Sequence, residues 1–175
     1  MPYSDADLVA CVVRLDDRDA FAELVRRHQS PVRQLLRRLT GGDTSLADDL
    51  AQETFVRVYR KLGSWRGDAK FSSWLYRVTY NVFASDHAKR ARRATDAVAD
   101  VPDREPRPAQ DGALRYDLET AMMRLPAAER AALVLVCVHG LTHEEAASVL
   151  GCPVGTVKTH VHRGKMSLRE MLDAA

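Results

Sequence analysis

Apolar residues recur at spacings of three and four along most of the chain, which is the pattern of amphipathic helices. The clearest run consists of Phe21, Leu24, Val25, His28, Val32, Leu35, Leu36 and Leu39. Because no alternating strand pattern stands out, this periodicity predicts an all-α fold. Pro31 removes one backbone donor from the first long helix, so we expect it to kink or divide that helix.

Caps and breakers set the predicted limits of the later helices. The breaker Thr40–Asp43 precedes a predicted helix from about Leu46 to Leu62, with Ser45 as its N-cap. A third helix is predicted from Phe71 to about Arg93. Helical periodicity then resumes at residues 114–125.

Residues 94–113 separate the two helical parts of the chain. They contain three prolines, five acidic residues and no aromatic residue. Such a composition buries too little apolar surface to fold alone, which predicts a flexible acidic linker. Fully extended, it would reach about 60 Å. The expected organisation is therefore two small helical domains, residues 1–93 and 114–175.

The second domain has the sequence features of a helix-turn-helix. Thr142 and Glu145 have the spacing of a capping box, Gly151 can end a helix, and Pro153 suits the start of the next one. Residues 154–169 then hold four cations and no acid. This pattern predicts a second helix that enters a DNA major groove. An αα-hairpin with a solvated basic face is the alternative.

Charge is distributed unevenly although the formal net charge is only +2. Between Arg57 and Arg93 there are ten Lys or Arg residues against two acids, which indicates an anionic partner. Eight of the eleven aromatic residues lie between Phe55 and Phe83. Aromatic and cationic side chains together are what single-stranded nucleic acid needs for stacking and for phosphate contact.

The predicted third helix has two apolar faces and a polar edge. One face carries Phe71, Trp74, Leu75, Val78 and Val82, and the other carries Tyr76, Tyr80, Phe83 and His87. One face must be core, while the second is either core as well or free for binding. The polar edge, together with Trp65 and the loop 67–71, is the better candidate for DNA contact.

Asp48, Asp49, Gln52 and Glu53 form an acidic ridge about 120° away from the core stripe of the second helix. An acidic ridge repels the phosphates of DNA. It is either a solvated face or a docking surface for a basic protein.

Several classes of function lack the residues they need. The three cysteines include no close pair, and the His and Cys residues near the C-terminus lack zinc-ligand spacing, so no metal or cofactor is predicted. Catalytic groupings do not stand out, and we expect no enzymatic activity. A nuclease that uses Asp48, Asp49 and Glu53 is the alternative. Without a signal-peptide pattern, and with Ala131–Val138 too short to span a bilayer, the sequence predicts a cytoplasmic protein without membrane insertion.

Four stretches resemble bacterial RNA polymerase sigma factors of the extracytoplasmic-function class of the sigma-70 family. They are DDLAQETFVRVYRKL, FSSWLYRVTYN, HAKRARR and LPAAERAALVLVCVHGLTHEEAASVLGCPVGTVK. The resemblance implies sigma domain 2 followed by sigma domain 4. It also implies an alternative sigma factor that directs transcription initiation by reading the −35 duplex and melting the −10 element. A helix-turn-helix regulator that acts without melting is the other hypothesis.

The resemblance also implies roles for particular residues. The acidic ridge would bind the clamp helices of the largest subunit of core polymerase. The −10 residues would be Trp65, Lys70, Phe71, Arg77, Asn81, Lys89, Arg90, Arg92 and Arg93. The −35 residues would be Thr156, Lys158, Thr159, His160, Arg163 and Lys165. An anti-sigma factor is a further expected partner. The family more often has Ser and Arg after Thr-Val-Lys; His160 and Gly164 therefore leave the −35 preference open.

Overall fold

The computed structural model describes residues 3–96 and 113–173, and this part of the chain is helical without strands. The helices are α1 (Asp5–Leu15), α2 (Arg18–Leu39), α3 (Thr44–Lys61), α4 (Phe71–Asp96), α5 (Ala113–Arg124), α6 (Ala127–Leu133), α7 (His143–Leu150) and α8 (Val154–Asp173). A short 3-10 turn (Leu62–Ser64) follows α3, and a π turn (Val134–Val138) follows α6. The prediction of an all-α fold is confirmed. Most of the predicted linker lies outside the described residues.

The N-terminal module consists of α1 to α4 around an aliphatic core. The predicted stripe of α2 supplies Leu24, Val32, Leu35, Leu36 and Leu39, each no more than 1% exposed. Burial of one such side chain contributes about 2 kcal/mol to stability. This stripe continues on both sides of Pro31. The expected division of α2 at this proline does not occur, and the helix runs through it. Tertiary packing outweighs the missing hydrogen bond.

Helix α3 begins earlier than the sequence suggested. The side chain of Asp43 accepts a hydrogen bond from the N–H of Leu46 at 3.0 Å and is the N-cap. Ser45, predicted to be the cap, lies inside the first turn. Asp43 takes the role because its carboxylate reaches a free amide at the positive end of the helix.

The C-terminal module has the predicted helix-turn-helix. Thr142 and Glu145 form a reciprocal capping box at the start of α7, and Gly151 ends that helix with a φ of +67°. The turn that follows leads into α8, which buries Val157 and Val161. The opposite side of α8 remains at the surface.

Gly164 is the point of close approach between α8 and α6. A Cβ atom at this position would lie 2.7 Å from Cδ1 of Leu133 and 3.6 Å from Cβ of Glu129. A glycine inside a helix costs about 1 kcal/mol relative to alanine. Here the glycine allows α8 and α6 to approach each other closely. This packing role explains why a residue that is unfavourable in a helix occupies position 164.

The two modules pack against each other through α4 and α7. Their buried residues form one hydrophobic cluster, and Tyr76 and Phe83 on the second aromatic face of α4 are 8% and 7% exposed. Both faces of α4 are therefore largely buried, one by the N-terminal module and the other by the C-terminal module. Among the described residues, no helix is both long and apolar enough to cross a membrane.

We expect Gly164→Ala to lower the free energy of unfolding by about 1 kcal/mol, because overpacking against Leu133 outweighs the gain in helix propensity. Gly155→Ala is the matched control in the same helix, since a Cβ there meets nothing within 4 Å. This control should be neutral or stabilising. Urea unfolding followed by circular dichroism measures both. A Gly164→Ala protein as stable as its parent would contradict the close approach.

Candidate functional site

The acidic ridge lies on the outer face of α3. Asp49, Gln52 and Glu53 are exposed, whereas Asp48 is half-buried with its Oδ1 3.3 Å from Nε of Arg33 on α2. Glu53 forms an ion pair with Arg57 one turn later. Asp48 therefore helps to fasten α3 to α2, Glu53 is paired within its own helix, and among the described residues Asp49 is the ridge carboxylate without an ion pair.

The ridge continues into an exposed apolar strip. Val56 is 50% exposed and Tyr59 38% exposed, one and two turns beyond Gln52. The hydroxyl of Tyr59 hydrogen-bonds Asp16, which ends α1 in a left-handed conformation. A partner that covers this face would contact both the negatively charged ridge and the apolar strip beside it.

The loop before α4 is held in place by aromatic contacts. The half-buried Trp65 donates its indole N–H to the carbonyl of Ala69 at 3.1 Å, and its ring meets Phe71 edge-on at 5.7 Å. Phe71 is only 5% exposed and also packs against His28 and Trp74. In this conformation Phe71 anchors the loop from within the core and is not part of the exposed surface.

The predicted polar edge of α4 is at the surface. The exposed members are Arg77, Asn81, Lys89, Arg90, Arg92 and Arg93. Arg90 forms an ion pair with Asp86 at 2.7 Å, and Arg92 donates to the carbonyl of Ala88. Lys70 lies apart from this group because its Nζ is 3.6 Å from Glu145 of the C-terminal module. Of the predicted −10 residues, the structure therefore buries Phe71, pairs Lys70 with Glu145 and leaves the others at least partly at the surface.

Helix α8 keeps its predicted reading residues off its buried face, which carries Val157 and Val161. Lys158, Thr159, Arg163 and Lys165 are exposed, and Thr156 and His160 are half-buried. The hydroxyl of Thr159 donates to the carbonyl of Gly155, which turns it toward its own helix. Three cations without intervening carboxylates form a surface suited to a DNA backbone and groove.

Sequence reasoning missed the contacts that join the two modules. Arg130, only 9% exposed, donates from Nη2 to the carbonyl of Leu39 at 3.0 Å and from Nη1 to that of Met123 at 3.2 Å. Among the described side chains none supplies a carboxylate to this guanidinium. Burial lowers the pKa of Arg130, but arginine keeps its charge because its ordinary pKa is so high. The signal available was an arginine in a helix that, apart from Glu129, otherwise consists of alanine and leucine.

His139 also joins the two modules. Its Nδ1 is 3.1 Å from the hydroxyl of Tyr76, and the two rings lie 4.8 Å apart. Burial, with a smaller contribution from the charge of Arg38, lowers the pKa of His139 from 6.5 to about 4. The neutral imidazole is therefore the form that fits the contact.

Known proteins align with nearly all of this chain. The sequence model of Sigma-70 region 2 matches residues 24–93, and that of Sigma-70, region 4 matches residues 115–168. The ECF RNA polymerase sigma factor SigE of Mycolicibacterium smegmatis is 40% identical over 157 residues, which are 86% of this chain and 60% of that relative. The RNA polymerase sigma-H factor of Pseudomonas aeruginosa is 35% identical over 185 residues, with coverage of 98% and 93%.

A solved structure shares the arrangement as well as the helices. The sigma factor RpoE from Bartonella quintana, in complex with the anti-sigma factor NepR, superposes with a TM-score of 0.77 at 29% identity. The superposition covers 87% of this chain and 96% of that one.

We expect acid to destabilise the folded chain through His139. Its pKa is lower in the fold than in the unfolded chain, so its neutral form gives full stability above pH 6.5, and this is lost as the pH falls toward 4. At pH 5 the loss should be about 2 kcal/mol relative to pH 7. Urea unfolding of the parent and of His139→Gln at both pH values isolates the effect. Equal pH dependence in the two proteins would contradict the buried neutral imidazole.

Proposed function

The chain belongs to the extracytoplasmic-function class of the sigma-70 family, and we propose that it performs the work of that class through three separate surfaces. As an alternative sigma factor it directs transcription initiation from particular promoters. The observation that carries the proposal is the pairing of an acidic face on α3 with a cationic edge on α4 within one module. A basic helix-turn-helix follows in the other module.

The acidic ridge is the proposed docking surface for core RNA polymerase. Exposed carboxylates at Asp49 and Glu53 suit a basic partner surface, here the clamp helices of the largest subunit. Val56 and Tyr59 extend the surface with apolar area that becomes buried on docking. Charge would speed the encounter and set its orientation, and apolar burial would hold the complex.

The edge of α4 and the loop around Trp65 are the proposed −10 surface. Separated strands lose base stacking, and an aromatic side chain returns about 1–3 kcal/mol per base that it stacks. Trp65 is the aromatic residue of this loop that is partly accessible. The cations Arg77, Lys89 and Arg93 would hold the phosphates of the same strand, which makes binding salt-dependent.

Helix α8 is the proposed −35 reader. Lys158, Arg163 and Lys165 supply charge for the backbone, and Thr156 and His160 are placed to approach base edges. An imidazole at position 160 cannot make the two-pronged contact with guanine that an arginine makes. The preferred −35 sequence should therefore differ from that of relatives with arginine nearby.

The proposal includes no catalytic step by this chain: chemistry belongs to the polymerase, and the chain supplies specificity and strand opening. Its place of action is then the cytoplasm, where polymerase meets the chromosome. An anti-sigma factor is proposed as a further partner because a similar sigma factor has been solved in complex with one.

Run-off transcription with purified core polymerase tests the function. Genomic fragments that direct transcription only when this protein is added would support it, and sequencing of transcripts after overexpression would supply the promoters. Duplex binding without transcription from any fragment would instead support a helix-turn-helix regulator. Activity that needs a divalent ion but no polymerase would point to a nuclease.

We expect the double variant Asp49→Lys with Glu53→Lys to bind core polymerase about 100-fold more weakly, because two attractive charges become repulsive. Binding is measured by fluorescence anisotropy of the labelled protein. The matched control is Glu170→Lys with Asp173→Lys, which likewise reverses two exposed acids, one of them paired with an arginine four residues away. Equal binding by both double variants would refute the docking surface.

A further inference from the structure

The start of α1 is fastened to α2 by a small polar network. The two carboxylate oxygens of Asp5 lie 3.1 Å from Nη1 of Arg27 and 2.8 Å from Nε2 of His28. Nη1 of Arg27 also donates to the carbonyl of Tyr3 at 2.8 Å, and its Nε pairs with Glu23 at 2.7 Å. Because a carboxylate only accepts hydrogen bonds, Nε2 of His28 is the donor in its pair. A partner on another helix therefore fixes the orientation of this imidazole.

The oriented imidazole packs against the ring that anchors the loop before α4. The ring centroids of His28 and Phe71 are 5.1 Å apart, with an interplanar angle of 61°. Phe71 in turn meets Trp65 at 5.7 Å and 88°. The side chain of His28 is only 16% exposed, and Phe71 is buried. Edge-to-face rings prefer a defined mutual geometry, so these three side chains form a row of rings that connects α2 to the loop.

The indole of Trp65 needs such support because it borders an open groove. The groove has a volume of about 300 Å³ and is lined by Val9, Val13 and Arg14 of α1 and by Arg66 of the loop. A ring beside open space can leave its rotamer unless other contacts hold it. This indole is held by the hydrogen bond from its N–H to a loop carbonyl and by its contact with the row of rings.

We propose that His28 is a positioning residue for the −10 surface. Asp5 orients the imidazole, and the imidazole holds Phe71. Phe71 then holds the indole of Trp65 at the angle on which an unstacked base of the −10 strand stacks. His28 itself is enclosed by the module and does not contact DNA. The inference rests on the proposed function, because it assumes that Trp65 receives a base.

The effect of His28 on affinity follows from preorganisation. A side chain that is already held in its binding rotamer loses little conformational freedom when DNA arrives. Without the imidazole, that ordering has to occur during binding. Removing His28 should therefore weaken binding of an unpaired −10 strand by about threefold to tenfold.

The orientation of Trp65 can be measured without DNA. The chain has two tryptophans, so a full-length Trp74→Phe protein has Trp65 as its single indole fluorophore. In this background His28→Ala should raise the acrylamide quenching constant about twofold, because the indole reaches more exposed rotamers. The matched control is Gln29→Ala, at a half-buried residue of α2 that accepts a hydrogen bond from its own helix, and it should leave quenching unchanged. Equal quenching in His28→Ala and its parent would refute the positioning role.

A double-mutant cycle shows whether His28 acts through Trp65. Holoenzyme is assembled with the parent, His28→Ala, Trp65→Ala or the double variant, and its affinity is measured for a fork-junction DNA with an unpaired −10 strand. His28→Ala alone should weaken binding about threefold to tenfold, but less than about twofold once Trp65 is absent. Affinity for core polymerase should stay unchanged, which also shows that the module remains folded. Additive losses would assign His28 a general structural role and overturn the proposal.

The variant His28→Phe separates the ring contact from the hydrogen bond. A phenyl ring can still pack against Phe71 but cannot bond Asp5, so quenching and affinity should lie between those of the parent and of His28→Ala. Binding as weak as that of His28→Ala would exclude the row of rings as the route. A parent holoenzyme that neither binds the fork junction nor transcribes would instead contradict the proposed function, whereas the quenching result does not depend on it.

Discussion

The structure depends on the burial of both aromatic faces of α4. A helix that carries apolar residues on two faces cannot satisfy them with one neighbouring layer, because a single packed layer covers only one side. The N-terminal module covers the face of Phe71, Leu75 and Val82, and the C-terminal module covers Tyr76 through His139. The many aromatic residues that stand out in the sequence are thus explained by two packing layers, one on each face of α4.

This division decides which residues remain available for nucleic acid. Most of the aromatic side chains that suggested base stacking are used for packing, and Trp65 keeps an accessible edge beside the loop. The cations on the third side of α4 are excluded from both contacts and stay at the surface. The proposed −10 surface therefore consists of what the packing leaves exposed, namely a polar edge and the loop before it.

Local features were predictable from sequence and contacts between distant segments were not. The capping box at Thr142, the left-handed Gly151 and the core stripe of α2 follow from spacing alone, because each involves neighbours along the chain. The choice of Asp43 over Ser45 as N-cap needed the backbone geometry. The partner of Arg130 and the close approach at Gly164 needed the tertiary fold, since Leu39 and Leu133 are far away in sequence.

Directed hydrogen bonds fix how the two modules face each other. An apolar replacement for a buried ion is often as stable or more stable, so the guanidinium of Arg130, which is held by two carbonyls, adds orientation more than strength. Apolar stabilisation of the same contact comes from the buried ring of Tyr76, whose hydroxyl is paired with His139. The contact therefore owes its strength to burial and its geometry to a few polar groups.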